Sequence, residues 1–467
     1  MTTSVTKERM NSIERKALFG LATLYAFRMM GLFMVLPVMM TYGEVLNGST
    51  AGLLGLALGA YGITQSVFQI PLGWLSDRIG RKPVIAGGLI VFALGSVLAA
   101  LSDSMFWVIM GRILQGSGAI ASSTMALLTD LTREQFRTKA LAFVGITIGL
   151  SFTVSMMLGP WIALAWGISG IFWLSALMSI CGLVVLAWLV PDAPQNSGRL
   201  SNGHFLQDAK RVLIIPDLLR LNFGIFSLHM GLMATFIVVP LRLVAGGLSE
   251  SLHGWLYAPV MVLAFVLMIP FMVVGEKKQL LVPMFSGAIA LLIVVQFLFI
   301  TVGEGWVVIG LLLVLYFMAF NYLEAAMPSL LSRLVPLDIK GTAMGVFNTS
   351  QFIGAAIGGV VGGALFERYG FTGVFSGLAL LLAFWLLVSL GQKMPESIKQ
   401  LVIQAPEPRD GDIDWVARIS ESLLLLDGVE FVEIHEENRE AHVHYKPAKI
   451  TEHTVKNVIH SDTKITH

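Results

Sequence analysis

The chain has 467 residues, of which 55% are apolar and 13% charged, and its 31 Lys and Arg against 30 Asp and Glu leave a net charge of +1. Soluble globular proteins carry about 25% charged residues, so most of this surface must face something other than water, and the near-neutral balance gives no case for nucleic-acid binding. A lone cysteine, Cys181, excludes an internal disulfide and any Cys-rich metal site.

In chain order, sixteen largely polar residues precede the first apolar run. No small-residue cleavage site follows that run, which reads as a retained span rather than a signal peptide. A hydrocarbon core about 30 Å thick takes about 20 apolar residues in a helix. This ruler predicts six spans near 17–42, 51–75, 84–101, 105–128, 140–163 and 168–190. A polar stretch with Pro191, Pro194, Gly198, Gly203 and Pro216 interrupts, and six more spans follow near 218–242, 253–274, 281–301, 305–331, 341–365 and 371–391. The expected organisation is an N-terminal six-helix half (1–190), a cytoplasmic linker (191–217), a C-terminal six-helix half (218–391) and a tail domain (398–467).

Basic residues collect in alternate loops: Lys7, Arg9, Arg15 and Lys16; Arg78, Arg81 and Lys82; Arg133, Arg137 and Lys139; Arg199, Lys210, Arg211 and Arg220; Lys277 and Lys278; Arg333 and Lys340; Lys393 and Lys399. The other set holds Arg242 and Arg368. The positive-inside rule then places both termini and the linker in the cytoplasm. The halves also echo each other. The second span ends in QIPLGWLSDRIGRK and the eighth in MIPFMVVGEKKQ; RTKALAFVG precedes the fifth and IKGTAMGVF the eleventh. Repeats of six helices are a transporter signature, with the substrate site between halves near the midplane.

Ionisable residues at membrane depth are costly and mark function. Arg28, Arg112, His229 and Glu324 qualify. Arg28 precedes Gly31 and Pro37 and lies deep for a snorkelling side chain. Glu324 shares a helix face with Asn321 and is favoured as a proton site over His229, whose imidazole titrates near neutrality. The plainer alternatives are an interfacial Glu and a structural His. Gln65 and Gln69, one turn apart, and Asn348 and Gln351, on one face, either line a polar cavity or bond helices together.

Beyond residue 398 the composition becomes polar and includes six His. LVIQA reads as a strand. A helix capped by Asp412 carries Ile413, Val416, Ile419, Leu423 and Leu426 on one stripe, then EFVEIHE and EAHVHYK alternate as a hairpin, and a helix near 450–460 follows. The order β-α-β-β-α suggests a small ferredoxin-like domain. Alternation puts Glu433, His435, His442 and His444 on one hairpin face, a set able to hold Zn, Ni or Cu, or simply a His-rich solvent face.

GWLSDRIGRK, from Gly73 to Lys82, is the most specific stretch. A positive-inside loop explains Arg78, Arg81 and Lys82 but neither Asp77 nor Gly73 and Gly80. The spaced set resembles the loop signature between the second and third helices of the major facilitator superfamily, and the resemblance covers about 17–391. IMGRILQGSGAIASS, with Arg112, Gln115, Gly116 and Gly118, is similar to that family's helix-4 motif, whose arginine is linked to proton coupling. Gly149 and Gly159-Pro160 resemble the helix-5 motif of drug–proton antiporters, but Ser155 stands where a glycine is common and no paired glycine follows Pro160.

The whole chain looks like the YajR-type subgroup of drug exporters. The resemblance implies a helical membrane protein of twelve spans with a ferredoxin-like α+β tail, in a bacterial inner membrane. It implies that Asp77 sits near the N-terminus of the eleventh helix, around Gly341-Thr342, and that Arg81 pairs with Asp130, together latching the cytoplasmic side shut. The expected activity is proton-driven export of small lipophilic or cationic compounds. Alternatives are proton-coupled uptake of a metabolite, and a sensor signalling through the tail. Expected partners are the substrate, protons and the lipid bilayer, with self-association through the tail. No cofactor, nucleotide-binding motif or enzymatic activity is expected.

Overall fold

The computed structural model describes residues 10–192, 205–277, 280–302, 305–335, 339–391, 399–404, 415–435, 440–446 and 449–461. These form two compact units, 1–392 and 393–467.

The first unit is all-helical: α1 (Ser12–Phe33), α2 (Met39–Tyr42), α3 (Ala51–Ile79), α4 (Arg81–Ala100), α5 (Met105–Ser117), α6 (Ala121–Asp130), α7 (Glu134–Trp188), α8 (Phe205–Ile214), α9 (Pro216–Ala245), α10 (His253–Lys277), α11 (Leu281–Thr301), α12 (Trp306–Leu334) and α13 (Lys340–Ser389). Among the described residues, nine helices reach the length and hydropathy needed to cross a bilayer. Two of these, α7 and α13, contain a left-handed glycine, Gly167 (φ 65°) and Gly370 (φ 63°), that ends one span and starts the next. With α5 and α6 together making one more, the chain crosses twelve times.

Local chemistry explains the ends. Asn11 and Glu14 form a reciprocal capping box at the start of α1, and the Thr50 hydroxyl caps α3. Pro71 and Pro270, the echoed prolines, lie inside α3 and α10; in lipid, neighbouring helices make such breaks tolerable.

Two predicted spans are not single helices. The run 17–42 breaks into turns over 34–38, around Pro37, before resuming as α2. The run 105–128 breaks at Gly118, where the backbone leaves helical geometry and packs against the backbone of Gly88. The linker also holds a helix, α8, which polar composition alone concealed; its Val212 is buried against α9 and α13.

The two halves meet mainly along α3 and α13, and glycine sets the closeness. Gly55 lies against Gly359 and Gly363, Gly59 against the Ala356 carbonyl, and a Cβ on Gly62 would sit 2.8 Å from the Phe352 carbonyl. A second seam joins α7 to α10, where a Cβ on Gly254 would sit 2.8 Å from the Met157 carbonyl, with Trp161 and Trp255 rings 5.1 Å apart. Both seams lie toward the end that carries 43–52. Toward the opposite end, a Cβ on Gly341 or Gly345 would meet open space. The close glycine contacts between the halves thus gather at the 43–52 end.

The second unit has strands β1 (Lys399–Gln404), β2 (Val429–His435) and β3 (Glu440–Tyr445), with α14 (Trp415–Leu424) and α15 (Glu452–Ser461). The sheet order is β1-β3-β2, antiparallel throughout, with a register shift between Val429 and Phe431. Period-2 alternation turns Val432, Ala441, Val443 and Tyr445 onto a core with Ile419, Leu423 and Val455. This agrees with the ferredoxin-like reading. The Asp412 cap and Ile413 lie outside the described residues.

Candidate functional site

Three groups of polar residues stand out. The first lies at the end opposite 43–52. Gly80 (φ 102°) turns the chain between α3 and α4 and positions Arg81 in the first turn of α4. Arg81 pairs with Asp77, its Nε lies 3.2 Å from Asp130 Oδ2, and it donates to Ser76 Oγ at 2.8 Å. Lys82 reaches Asp192 at 2.7 Å, and the Arg78 guanidinium lies 3.8 Å from the centroid of the Trp74 ring. A Cβ on Gly73 would press on Ser122 at 3.0 Å. Among the described residues no hydrogen bond joins Asp77 to Gly341 or Thr342. Glu14, which sequence reading passed over, is 2% exposed and accepts from Arg133 N at 3.0 Å and Nε at 2.9 Å, tying α1 to the start of α7.

The second group lies mid-depth in the N-terminal half. Arg28, 5% exposed, donates to Tyr61 Oη at 3.2 Å from Nε and to Gln65 Oε1, and Gln65 donates to Gln69 Oε1 at 3.3 Å. Arg112, 1% exposed, donates to the Ala57 carbonyl at 3.2 Å and to Gln115 Oε1 at 2.8 Å, and Gln115 donates to Ser96 Oγ at 2.8 Å. Tyr61 joins the two: its hydroxyl serves Arg28 and its ring lies 5.0 Å from the Arg112 guanidinium. No described ion pair includes either arginine, and neutral oxygens and aromatic rings carry the solvation. Tyr61 was missed because a tyrosine in an apolar span carries no distinguishing pattern.

The third group lies mid-depth in the C-terminal half and is titratable. His229 of α9, Glu324 of α12 and Gln351 of α13 converge. His229 Nδ1 is 3.2 Å from the Ile225 carbonyl, which fixes its proton on Nδ1 and leaves Nε2 as an acceptor. Gln351 Nε2 lies 2.7 Å from that nitrogen and donates to Glu324 Oε1 at 3.2 Å. Among the described residues the second oxygen of Glu324 has no hydrogen-bond partner, and it stands 3.7 Å from His229 Nε2. A proton on Nε2 would set donor against donor in this orientation of the Gln351 amide, so the hydrogen bonding of the cluster depends on where that proton sits.

Around it lie aromatic rings from both halves. Phe320 packs on His229 at 5.8 Å, Phe152 on Phe317 at 5.7 Å, and Phe33 on Phe152 at 4.8 Å. The Glu324 side chain is 36% exposed, so it is reachable. Asn321 is partly buried with its amide nitrogen unpaired, and Asn348 is partly exposed. Gly159 admits the broken 34–38 segment: a Cβ there would lie 2.6 Å from the Met34 carbonyl. A Cβ on Gly149 would lie 3.6 Å from the Phe265 ring, and Pro160 follows inside α7.

In the tail, Glu433 faces His442 across the hairpin and His435 faces Glu440. The side chain of His435 lies outside the described residues. Among those described, no three potential ligands come together as a metal site. Burial and the neighbouring His442 push the His444 imidazole below its usual range, with Glu433 opposing.

The family model for the Major Facilitator Superfamily matches residues 18–359. The chain is 44% identical over 437 residues to the inner membrane transport protein YajR of Escherichia coli strain K12, covering 93% of this chain and 95% of that one. It is 25% identical to multidrug resistance protein 2 of Bacillus subtilis, covering 72% and 86%. The crystal structure of a D-xylose-proton symporter superposes with a TM-score of 0.66 at 16% identity, covering 82% of this chain and 98% of that one. The family match, the close relative and the twelve-crossing bundle agree: this chain is a YajR-like, multi-pass membrane transporter of the major facilitator superfamily.

Proposed function

We propose that the protein exports small lipophilic or cationic compounds from the cytoplasm in exchange for protons, by rocking of its two halves. The observation that carries this reading is the His229–Gln351–Glu324 cluster at mid-depth, with a reachable carboxylate beside aromatic rings. A cation held over an aromatic face and near Glu324 would compete with a proton for the same charge, and competition at one site is what antiport requires. Arg28 and Arg112 keep a fixed positive charge in the opposite half, so a change of charge at Glu324 or His229 is felt across the seam.

The cell inner membrane, as named for the E. coli relative, is the expected location. With the loop 73–82 end in the cytoplasm, as the positive-inside rule requires, the glycine-packed 43–52 end faces outward, which we read as its closed state. The Asp77–Arg81–Asp130 group would then latch the inner side in the opposite state, with Asp77 on the N-terminus of α13. The relative named for multidrug resistance and the Gly159-Pro160 motif favour export; the departures from that motif leave proton-coupled uptake as the second reading.

The test is proton movement in inverted membrane vesicles that hold a pH gradient. Lipophilic cations and metabolites are added in turn, with Glu324→Gln as control. Collapse of the gradient by a compound only with intact Glu324 supports antiport and names the substrate class. A gradient that no compound disturbs, together with tail binding of metal or protons, moves the reading to a sensor.

A further inference from the structure

Among the described residues, one side-chain hydrogen bond joins the two halves. Gly52 N donates to Glu367 Oε2 at 3.0 Å, from the first turn of α3 to the last turn of α13 before Gly370. The first turn of a helix has amide donors without partners and a positive dipole end. Thr50 Oγ1 takes one of these donors, from Leu53 at 3.2 Å, and Glu367 takes another. A Cβ on Gly52 would lie 2.5 Å from Glu367 Oε2, so the carboxylate occupies space that glycine leaves. The rest of the α3–α13 seam is close packing of glycine and alanine backbone, which has no such directional contact.

The arrangement mirrors the other end of the same two antiparallel helices. There the motif resemblance gives Asp77, near the end of α3, the N-terminus of α13 as its counterpart, a hydrogen bond not made among the described residues. We propose that Glu367 is the opposite latch. Its carboxylate on the N-terminus of α3 holds the 43–52 end shut, and it lets go when the halves rock and Asp77 takes its seat on α13. Each helix lends a carboxylate from its last turns to the first turn of the other, and each conformation fills one seat. The inference rests on the alternating-access reading above.

The test is a distance measurement across the closed end, on the full chain in lipid nanodiscs. Spin labels go on Val45 and Leu252, exposed residues of opposite halves, after Cys181→Ser. Glu367→Gln should raise the open-to-closed ratio about threefold, and Glu367→Ala about tenfold, the range expected of a carboxylate at a helix N-terminus. Gly52→Ala, which displaces the carboxylate but keeps the amide, should act in the same direction. Asp77→Asn should shift the ratio the opposite way. If Asp77→Asn shifts the distances and the Glu367 and Gly52 variants do not, the latch is wrong and alternation stands. If no variant moves them, both fail.

Discussion

The two halves hold their buried charge differently. The N-terminal half keeps Arg28 and Arg112, fully enclosed, on neutral acceptors and the Tyr61 ring. The C-terminal half holds Glu324 and His229 on a shared amide, with one carboxylate oxygen unpaired among the described residues and the Glu324 side chain partly exposed. A guanidinium does not lose its proton in a protein, so the first cluster is a constant. In the proposed exchange the second would change charge with one proton. On that proposal, similar six-helix folds would carry a fixed field in one half and a variable one in the other, which would give the proposed rocking motion something to respond to.

The contrast breaks most severely at Glu324. Glu324→Gln should reduce proton-driven transport to background while the protein folds and inserts normally; a transport assay beside a thermal melt separates the two. Arg112→Ala should instead act on stability, by about 3 kcal/mol, because it empties a buried volume and strands Gln115 and the Ala57 carbonyl. A lowered melting temperature in detergent checks this, and a variant that melts like the parent would contradict the fixed-charge role. Gln351→Leu removes the amide shared by His229 and Glu324. Transport should slow about tenfold, the equivalent of one hydrogen bond to a charged group, whereas Gln65→Leu should leave the pH dependence of transport as it was.

Gly159→Ala is a subtler probe, since a Cβ there must push the Met34 carbonyl away; about 1–2 kcal/mol of destabilisation is expected from overpacking. The smallest effect lies in the water-facing tail. His444 is held below its usual range, first by burial and then by His442, so the fold favours the neutral ring. Its contribution is present above the ordinary imidazole range and is lost as pH falls through the lowered value. Hydrogen exchange of β3 amides, corrected for intrinsic rates, should be faster at about pH 5 than at about pH 7.5.

Much of this was legible in the sequence, for definite reasons. Apolar length shows the spans, and the glycines and charges of 73–82 specify a turn and an ion-pair network that are present. The breaks at 34–38 and Gly118 were not legible, because hydropathy is blind to backbone geometry. His229 and Glu324 could each be singled out by cost at depth, but their meeting through Gln351 joins three spans far apart in the chain, and spacing within a helix does not encode that. Glu14 and Glu367 escaped notice because a carboxylate near a span end looks like an ordinary interfacial residue. Their partners, Arg133 and Gly52, are 119 and 315 residues away.

The measurement that bears most directly on the central claim is proton release by the purified transporter. A transported compound is added to the protein in lightly buffered detergent with a pH indicator. The account predicts that binding releases protons from the wild-type protein, and that Glu324→Gln binds the compound without releasing any. Equal release from both proteins, or none from the wild type, would contradict it.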